Sequence, residues 1–215
     1  LHSVTNYEMH KSIYSAHNDH NYFELAHNVR RLEAVGRSLY TFVDNHDENR
    51  IASKLNFKEH LFPVYVLLYT LPGIPSVYYG SEWGIEGLRD SCSDSALRPA
   101  IPADGLESRE NALTRLIRTL GRIHAENGAL HTGLYKELLL TNRQYAFARL
   151  GEGHAIITAA NNDSEPAAVQ VPLPVSTTQT ECRDLLSDKI FNIENGKIQI
   201  SLEGNRAVIL RITEG

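Results

Sequence analysis

Four polar side chains follow a short apolar segment that ends at Val43, and together they suit the binding of a sugar. Asn45, His46, Asp47 and Arg50 supply an amide, an imidazole, a carboxylate and a guanidinium. Such groups can hydrogen-bond several hydroxyls of one ring at once, and the charged ones form the strongest bonds. An Asx-type turn that caps the next helix is the simpler interpretation when the tripeptide Asn-His-Asp is taken in isolation.

A second segment of the same character follows after the length of one helix. Residues 73–82, Gly-Ile-Pro-Ser-Val-Tyr-Tyr-Gly-Ser-Glu, also read as a strand that ends in polar residues. With residues 42–47, Phe-Val-Asp-Asn-His-Asp, this segment resembles the last two barrel strands of the α-amylase family of glycoside hydrolases. Residues 42–47 are similar to the family's fourth conserved region. Residues 4–14 resemble its sixth barrel strand and the start of the helix that follows.

The resemblance implies a role for each polar residue of the first segment. In the family, the residue at the position of Asp47 is the third catalytic carboxylate, which stabilises the transition state. The residue at the position of His46 contacts the substrate at the cleavage subsite. Asn45 and Arg50 match the same motif, and we interpret both as mainly structural members of the substrate site. Trp83, also a substrate-site candidate, either stacks on a pyranose ring or packs under its own loop, and packing is the favoured interpretation.

Retaining glycoside hydrolysis also needs a nucleophile and a general acid/base, whose carboxyl groups lie about 5 Å apart. In the family the nucleophile belongs to a Gly-x-Arg-x-Asp segment, which has no match in this sequence. We therefore expect the chain to lack both groups and to be inactive by itself. The carboxylates in the loop after the second predicted strand are interpreted as cleft wall or solvated loop charge, and they are Glu82, Glu86, Asp90 and Asp94. Arg98 is expected to anchor this loop rather than bind substrate.

The pattern of apolar residues predicts two kinds of architecture. Helical spacing over residues 22–35, 58–71 and 109–126 alternates with strands at 39–43 and 74–79, which is typical of parallel βα units. After residue 134, short β-rich runs separated by turn residues are typical of an antiparallel sandwich. Combined with the resemblance, these patterns predict the C-terminal part of a (β/α)8 TIM barrel in residues 1–131 and an antiparallel β-sandwich domain in residues 132–215.

The bulk composition argues against several classes of function. A formal net charge of -5 without a basic run argues against nucleic acid as a partner, and no apolar stretch reaches the length of a membrane span. The ten histidines show no metal-ligand spacing backed by carboxylates, so no metal site and no cofactor are predicted. His17 and His20 are expected on exposed helix faces. Because the chain starts at Leu1 without a signal region, we expect a longer gene product, cytoplasmic or alternatively extracellular.

The resemblance therefore predicts the C-terminal portion of a retaining, α-amylase-like hydrolase that acts on α-1,4-glucans such as starch or maltodextrin. A non-catalytic carbohydrate-binding or scaffolding module is the alternative, and a catalytically dead amylase-like subunit is a further one. The choice between hydrolase and transferase stays open, because it depends on how water and an acceptor sugar compete. A partial barrel would expose strand edges, which predicts either a homodimer or completion by the remainder of its own barrel.

Overall fold

The computed structural model describes residues 3–36, 38–102 and 109–215, with helices before residue 133 and mainly strands after it. A helix that is apolar on all sides belongs in a protein interior, and Leu61–Thr70 is such a helix, with most of its residues buried. The helices are α1 (Tyr7–Asn18), α2 (Phe23–Arg31), α3 (Glu33–Gly36), α4 (Ile51–Lys54), α5 (Leu61–Thr70), α6 (Ala112–Glu126) and α7 (Gly128–Thr132). Short 3-10 turns lie at Lys58–His60 and Ser81–Trp83.

Two short parallel strands carry the predicted site segments. β1 (Tyr40–Phe42) pairs in parallel with β2 (Ile74–Ser76), and Thr5 forms a single parallel bridge to β1 on its other side. Gly73 makes the close approach of β2 to β1 feasible, because its φ is +147° and a Cβ there would lie 2.1 Å from Thr41 Oγ1. In the described residues these parallel segments do not close into a barrel.

Helix boundaries differ from the sequence prediction where a side chain caps the helix. The sequence favoured the end of a strand or a loop for residues 4–9, but α1 already begins at Tyr7, because the Asn6 side chain accepts the Met9 N–H at 3.0 Å. The helix predicted from residue 109 begins at Ala112, where the Asn111 side chain accepts the Thr114 N–H at 2.9 Å.

The second half of the chain forms two four-stranded antiparallel sheets. Hairpin turns join many of the neighbouring strands, as the turn residues in the sequence predict. The strands are β3 (Leu134–Leu140), β4 (Gln144–Gly151), β5 (His154–Asn161), β6 (Ala167–Pro172), β7 (Glu181–Arg183), β8 (Ile190–Glu194), β9 (Lys197–Leu202) and β10 (Ala207–Thr213). The strand order is β10-β5-β4-β3 in the first sheet and β6-β9-β8-β7 in the second.

The first of these sheets is covered on both faces. Along β4, Tyr145 and Phe147 lie in a core that also contains side chains from the helices. Ala146 and Ala148 point to the opposite face, into a core shared with the second sheet. Successive side chains of a strand alternate between faces, so burial on both sides explains why this segment reads as a continuous apolar run.

Contacts at the junction of helices and sheets involve charged and polar groups. Arg149 on β4 is fully buried and donates to the carbonyls of Thr70, at 3.1 Å, and Gly133, at 3.2 Å. The Asn162 side chain donates to the Ala16 carbonyl at 2.8 Å. These bonds join the C-terminal ends of α5 and α1 to the first antiparallel sheet.

The expectation that the α1 histidines lie on an exposed face was wrong for His17. Its side chain is fully buried, because α1 packs against both α2 and α5 rather than facing solvent. The His17 Nδ1–H donates to the Ile13 carbonyl at 2.7 Å, and the ring lies 5.3 Å from that of His60. His20 is only partly exposed, and its Nδ1 lies 2.6 Å from the Asn162 carbonyl.

Candidate active site

The polar loop at residues 44–50 begins at the C-terminal end of β1. The Asn45 side chain accepts the Asp47 N–H at 2.8 Å, which is the Asx-turn geometry that the sequence offered as the simpler interpretation. This turn uses the amide of Asn45 and leaves the side chains of His46 and Asp47 directed outward. The Asx turn and a sugar site are therefore compatible in this loop.

Asp47 and His46 form an exposed pair at the mouth of the loop. His46 Nε2 lies 3.1 Å from Asp47 Oδ2, and the side chains are 59% and 48% exposed, respectively. The second carboxylate oxygen, Oδ1, accepts a hydrogen bond from Arg98 Nη2 at 3.0 Å. Each carboxylate oxygen can accept a further hydrogen bond, so this group can still receive sugar hydroxyls.

Arg50 lies behind this pair and is fully buried. Its guanidinium donates to the Tyr79 carbonyl at 2.6 Å, the Ser81 hydroxyl at 3.1 Å and the Leu97 carbonyl at 2.8 Å. It also lies over the ring of Tyr78, 4.2 Å from the centroid. Because these groups enclose it, the geometry favours the structural role of Arg50 over direct contact with a sugar.

Asp44 is a member of the site that the sequence reasoning missed. It is buried, and its Oδ2 accepts the Ile51 N–H at 2.8 Å and the Ser81 hydroxyl at 2.7 Å. Burial raises the pKa of Asp44, while these two hydrogen bonds act in the opposite direction. The carboxylate thus joins the end of β1 to the start of α4 and to the turn after β2.

A second network supports the loop from the side of α1. Lys54 Nζ donates to Glu48 Oε2 at 2.7 Å and lies 3.1 Å from His10 Nε2. The His10 ring stacks on Phe42 of β1 with centroids 5.0 Å apart. Burial and, secondarily, the charge of Lys54 lower the pKa of His10 to about 4, so the ring is a neutral acceptor near pH 7.

The loop after β2 contacts Asp47 through two arginines. Arg98 Nη2 donates to both Asp47 and Asp94, the latter at 3.2 Å, and its Nε donates to the His46 carbonyl at 3.1 Å. Arg89 Nε lies 3.7 Å from Asp94 Oδ1, and its Nη1 donates to the Asp47 carbonyl at 3.4 Å. These contacts form a closed ring through Asp47, Arg98, Asp94 and Arg89.

Trp83 lies apart from this ring, in the turn that follows β2. Its ring is half-buried beside the Arg109 guanidinium, 5.4 Å from the centroid, and its carbonyl accepts from the Asn111 side chain at 3.1 Å. In the part of the chain that the structure describes, no hydrogen bond joins Trp83 to Asp47 or His46. The contacts favour packing of Trp83 under its own loop.

Glu86 and Asp90 of this loop take part in separate contacts. Glu86 and Asp90 would share a helix face only if residues 86–90 were helical, and this stretch is not. Glu86 forms an ion pair with Lys58, and Asp90 accepts the Cys92 N–H at 3.2 Å.

Among the described residues, no cluster of three or more His, Cys, Asp or Glu side chains could hold a metal ion. In the same residues, no helix is long and apolar enough to cross a bilayer.

Comparison with known proteins identifies the family. Residues 2–126 match the sequence profile of the α-amylase catalytic domain. The chain belongs to the α-amylase family. The profile match covers the loop with Asp47 and the segment with Arg98, and it confirms the resemblance seen in the sequence.

Curated α-amylase family relatives are much longer than this chain. A cyclomaltodextrinase from Thermoanaerobacter pseudethanolicus is 28% identical over 142 residues, which are 66% of this chain and 24% of the relative. Neopullulanase 2 from Thermoactinomyces vulgaris is 25% identical over 181 residues, which are 83% of this chain and 30% of the relative. The chain thus spans under a third of the length of these two enzymes.

Solved structures with a similar fold are likewise longer than this chain. An Anoxybacillus α-amylase aligns with a TM-score of 0.84 at 24% identity, over 99% of this chain and 47% of that one. The maltogenic amylase from S. marinus aligns with a TM-score of 0.73 at 26% identity, over all of this chain and 29% of that one. These structural neighbours are TIM-barrel proteins of the α-amylase family. The two relatives are named as a cyclomaltodextrinase and a neopullulanase, and the two structural neighbours as an α-amylase and a maltogenic amylase.

Proposed function

We propose that this chain is the C-terminal portion of a retaining glycoside hydrolase that acts on α-1,4-glucans such as starch or maltodextrin. Residues 1–131 contribute the last strands and helices of a (β/α)8 barrel, and residues 132–215 form its β-sandwich domain. The observation that carries the proposal is the exposed pair of Asp47 and His46 at the C-terminal end of β1. Barrel enzymes build their sites at this end of the strands.

In this proposal Asp47 acts as the transition-state stabiliser. Its ionised carboxylate accepts hydrogen bonds from ring hydroxyls, and its negative charge favours the positive charge that develops at the anomeric carbon. His46 donates to a neighbouring hydroxyl, and Asn45 holds the turn that presents both side chains. Arg50 fixes the loop from behind, and Trp83 packs under the loop that follows β2.

The nucleophile and the general acid/base come from a part of the polypeptide outside these residues. The nucleophile bonds to the anomeric carbon as the glycosidic C–O bond breaks, and the acid gives its proton to the leaving oxygen. Water then hydrolyses the glycosyl ester and returns a proton to the same acid/base residue. The contribution of this chain is to orient the sugar and to stabilise charge.

The proposal also predicts what covers the exposed strand edges. Tyr40 of β1, Ile74 of β2 and the neighbouring Val4 are 42%, 48% and 51% exposed. We infer that further strands of the same polypeptide cover this surface, or a second copy of the chain when it is produced alone. Sedimentation of the isolated chain at micromolar concentration checks this, and a well-folded monomer with slowly exchanging amides in β1 and β2 would contradict it.

The test of function compares the isolated chain with the longer protein that contains it, using soluble starch. We expect release of reducing sugar by the longer protein and none by the isolated chain. Starch hydrolysis by the isolated chain that depends on Asp47 would refute the proposal that the nucleophile and the general acid/base lie in another part of the polypeptide. Binding of maltodextrin by the longer protein without hydrolysis would instead support the non-catalytic carbohydrate-binding module.

A further inference from the structure

We propose that Arg98 is a positioning residue that sets the orientation of the Asp47 carboxylate. The inference rests on the proposed function, since it assigns a task to Arg98 within the same site. The guanidinium donates through Nη2 to Asp47 Oδ1 at 3.0 Å and through Nε to the His46 carbonyl at 3.1 Å. One planar group therefore holds both the carboxylate and the backbone that carries it.

Hydrogen bonds hold the backbone that carries the Arg98 side chain. Leu97 is fully buried, and its carbonyl accepts from Arg50 Nη2 at 2.8 Å. The N–H of Arg98 donates to the Asp94 and Ser95 carbonyls, each at 3.2 Å. Arg50, in the loop that carries Asp47, therefore bonds the backbone of Leu97. The next residue, Arg98, bonds the Asp47 side chain in return.

Asp94 orients the side chain of Arg98 from its other side. Asp94 Oδ2 accepts from Arg98 Nη2 at 3.2 Å, and Asp94 Oδ1 lies 3.7 Å from Arg89 Nε. Arg89 also faces this cluster, and it closes the ring by donating to the Asp47 carbonyl at 3.4 Å. The guanidinium of Arg98 therefore lies between the carboxylates of Asp94 and Asp47.

The contribution of Arg98 is to geometry rather than to folding. The side chains of Arg98 and Asp47 are 45% and 48% exposed, and ion pairs at exposed sites contribute little to stability. Without Arg98, the carboxylate would keep only its contact to His46 and could rotate. Displacement of a catalytic group by about 1 Å can lower a rate by about a hundredfold.

The experiment is a double-mutant cycle in the longer, active protein, assayed with soluble starch and with an aryl α-maltoside. We expect Arg98→Met to lower kcat by about tenfold to a hundredfold and to change KM by less than about threefold. Arg98→Lys should restore part of kcat, because an ammonium group can pair with Asp47 but cannot bond the His46 carbonyl at the same time. Arg118→Met, at an exposed pair with Glu110 on α6, is the matched control and should leave kcat unchanged.

The cycle separates positioning from other roles. If Arg98 acts through Asp47, Arg98→Met will cause no further loss of kcat in the Asp47→Asn background. If the losses of kcat in the two single variants multiply in the double variant, or if Arg98→Met raises KM with unchanged kcat, Arg98 contacts the substrate directly and the proposal is overturned. A lower melting temperature that accounts for the lost activity would overturn it in favour of a structural role. Full activity of Asp47→Asn alone would reject the proposed function itself, whatever Arg98 does.

Discussion

The buried guanidinium of Arg50 donates to the carbonyl of Leu97 at 2.8 Å, across 47 positions of sequence. Through this bond the loop after β1 and the loop after β2 support one another. The same side chain bonds Tyr79 and Ser81, so one residue aligns the ends of both parallel strands. The position of Asp47 therefore depends on contacts that lie beneath the exposed surface of the site.

Arg50→Met should destabilise the protein by about 3 kcal/mol, because the carbonyls of Tyr79 and Leu97 would lose a charged, buried donor. The free energy of unfolding can be measured in urea through the fluorescence of Trp83, the single tryptophan, which follows Ser81 closely in the same turn. Arg118→Met, an exposed arginine, is the control and should change stability by less than about 0.5 kcal/mol. Equal stability of the two variants would refute the role assigned to Arg50.

Asp47→Asn in the longer protein should lower kcat on starch by a factor of about 100 to 1,000, since it removes the charge but keeps the shape of the side chain. Asp188→Asn makes the same chemical change at an exposed position in the second half of the chain, where a positive φ of 62° already suits asparagine. That control should keep full activity. Activity of Asp47→Asn within about tenfold of the unmodified protein would show that the assignment is wrong.

The sequence predicted the elements that carry the site because local patterns specify them. Residues 39–43 are apolar and end in polar residues, and β1 occupies Tyr40–Phe42. The antiparallel strands follow their turn residues in the same way, for example at Asn195, where φ is +51°. These features depend on neighbours in the sequence, so they can be read without the fold.

The sequence did not predict the network beneath the site, because its members meet only in the folded chain. Asp44 bonds Ser81, which lies 37 positions away, and nothing beside Asp44 indicates that it is buried. His10 likewise bonds Lys54 across 44 positions. A helix with polar residues on two faces is predicted to be partly exposed. In the structure, α2 and α5 both pack against α1.

Acid should destabilise the protein through its buried histidines. Burial lowers the pKa of His17 to about 3 and that of His10 to about 4. Since an unfolded histidine titrates near 6.5, the unfolded chain binds more protons than the folded chain between about pH 6.5 and pH 4. Stability is therefore full above this window and falls as the pH is lowered through it, by up to about 1.4 kcal/mol per pH unit for each histidine.

Urea denaturation at pH 7 and pH 5 checks this. His17→Gln removes one titrating group, so its free energy of unfolding should depend less steeply on pH than that of the unmodified protein. His27→Gln changes an exposed histidine of α2 and should leave the slope as it is. A slope unchanged by His17→Gln would mean that His17 is accessible to protons in the folded state.

Arg149 should hold the helices to the first antiparallel sheet. Its guanidinium bonds the carbonyl of Thr70, the last residue of α5, at 3.1 Å, and a cation there also faces the negative end of the helix dipole. Arg149→Met keeps the apolar stem but removes the buried donors, which should cost about 3 kcal/mol in unfolding free energy. Arg183→Met, at an exposed ion pair on β7, is the matched control and should cost less than about 0.5 kcal/mol. Hydrogen exchange should accelerate at the end of α5 and along β4 in Arg149→Met alone. Unchanged exchange there would show that apolar packing, rather than Arg149, joins the two halves.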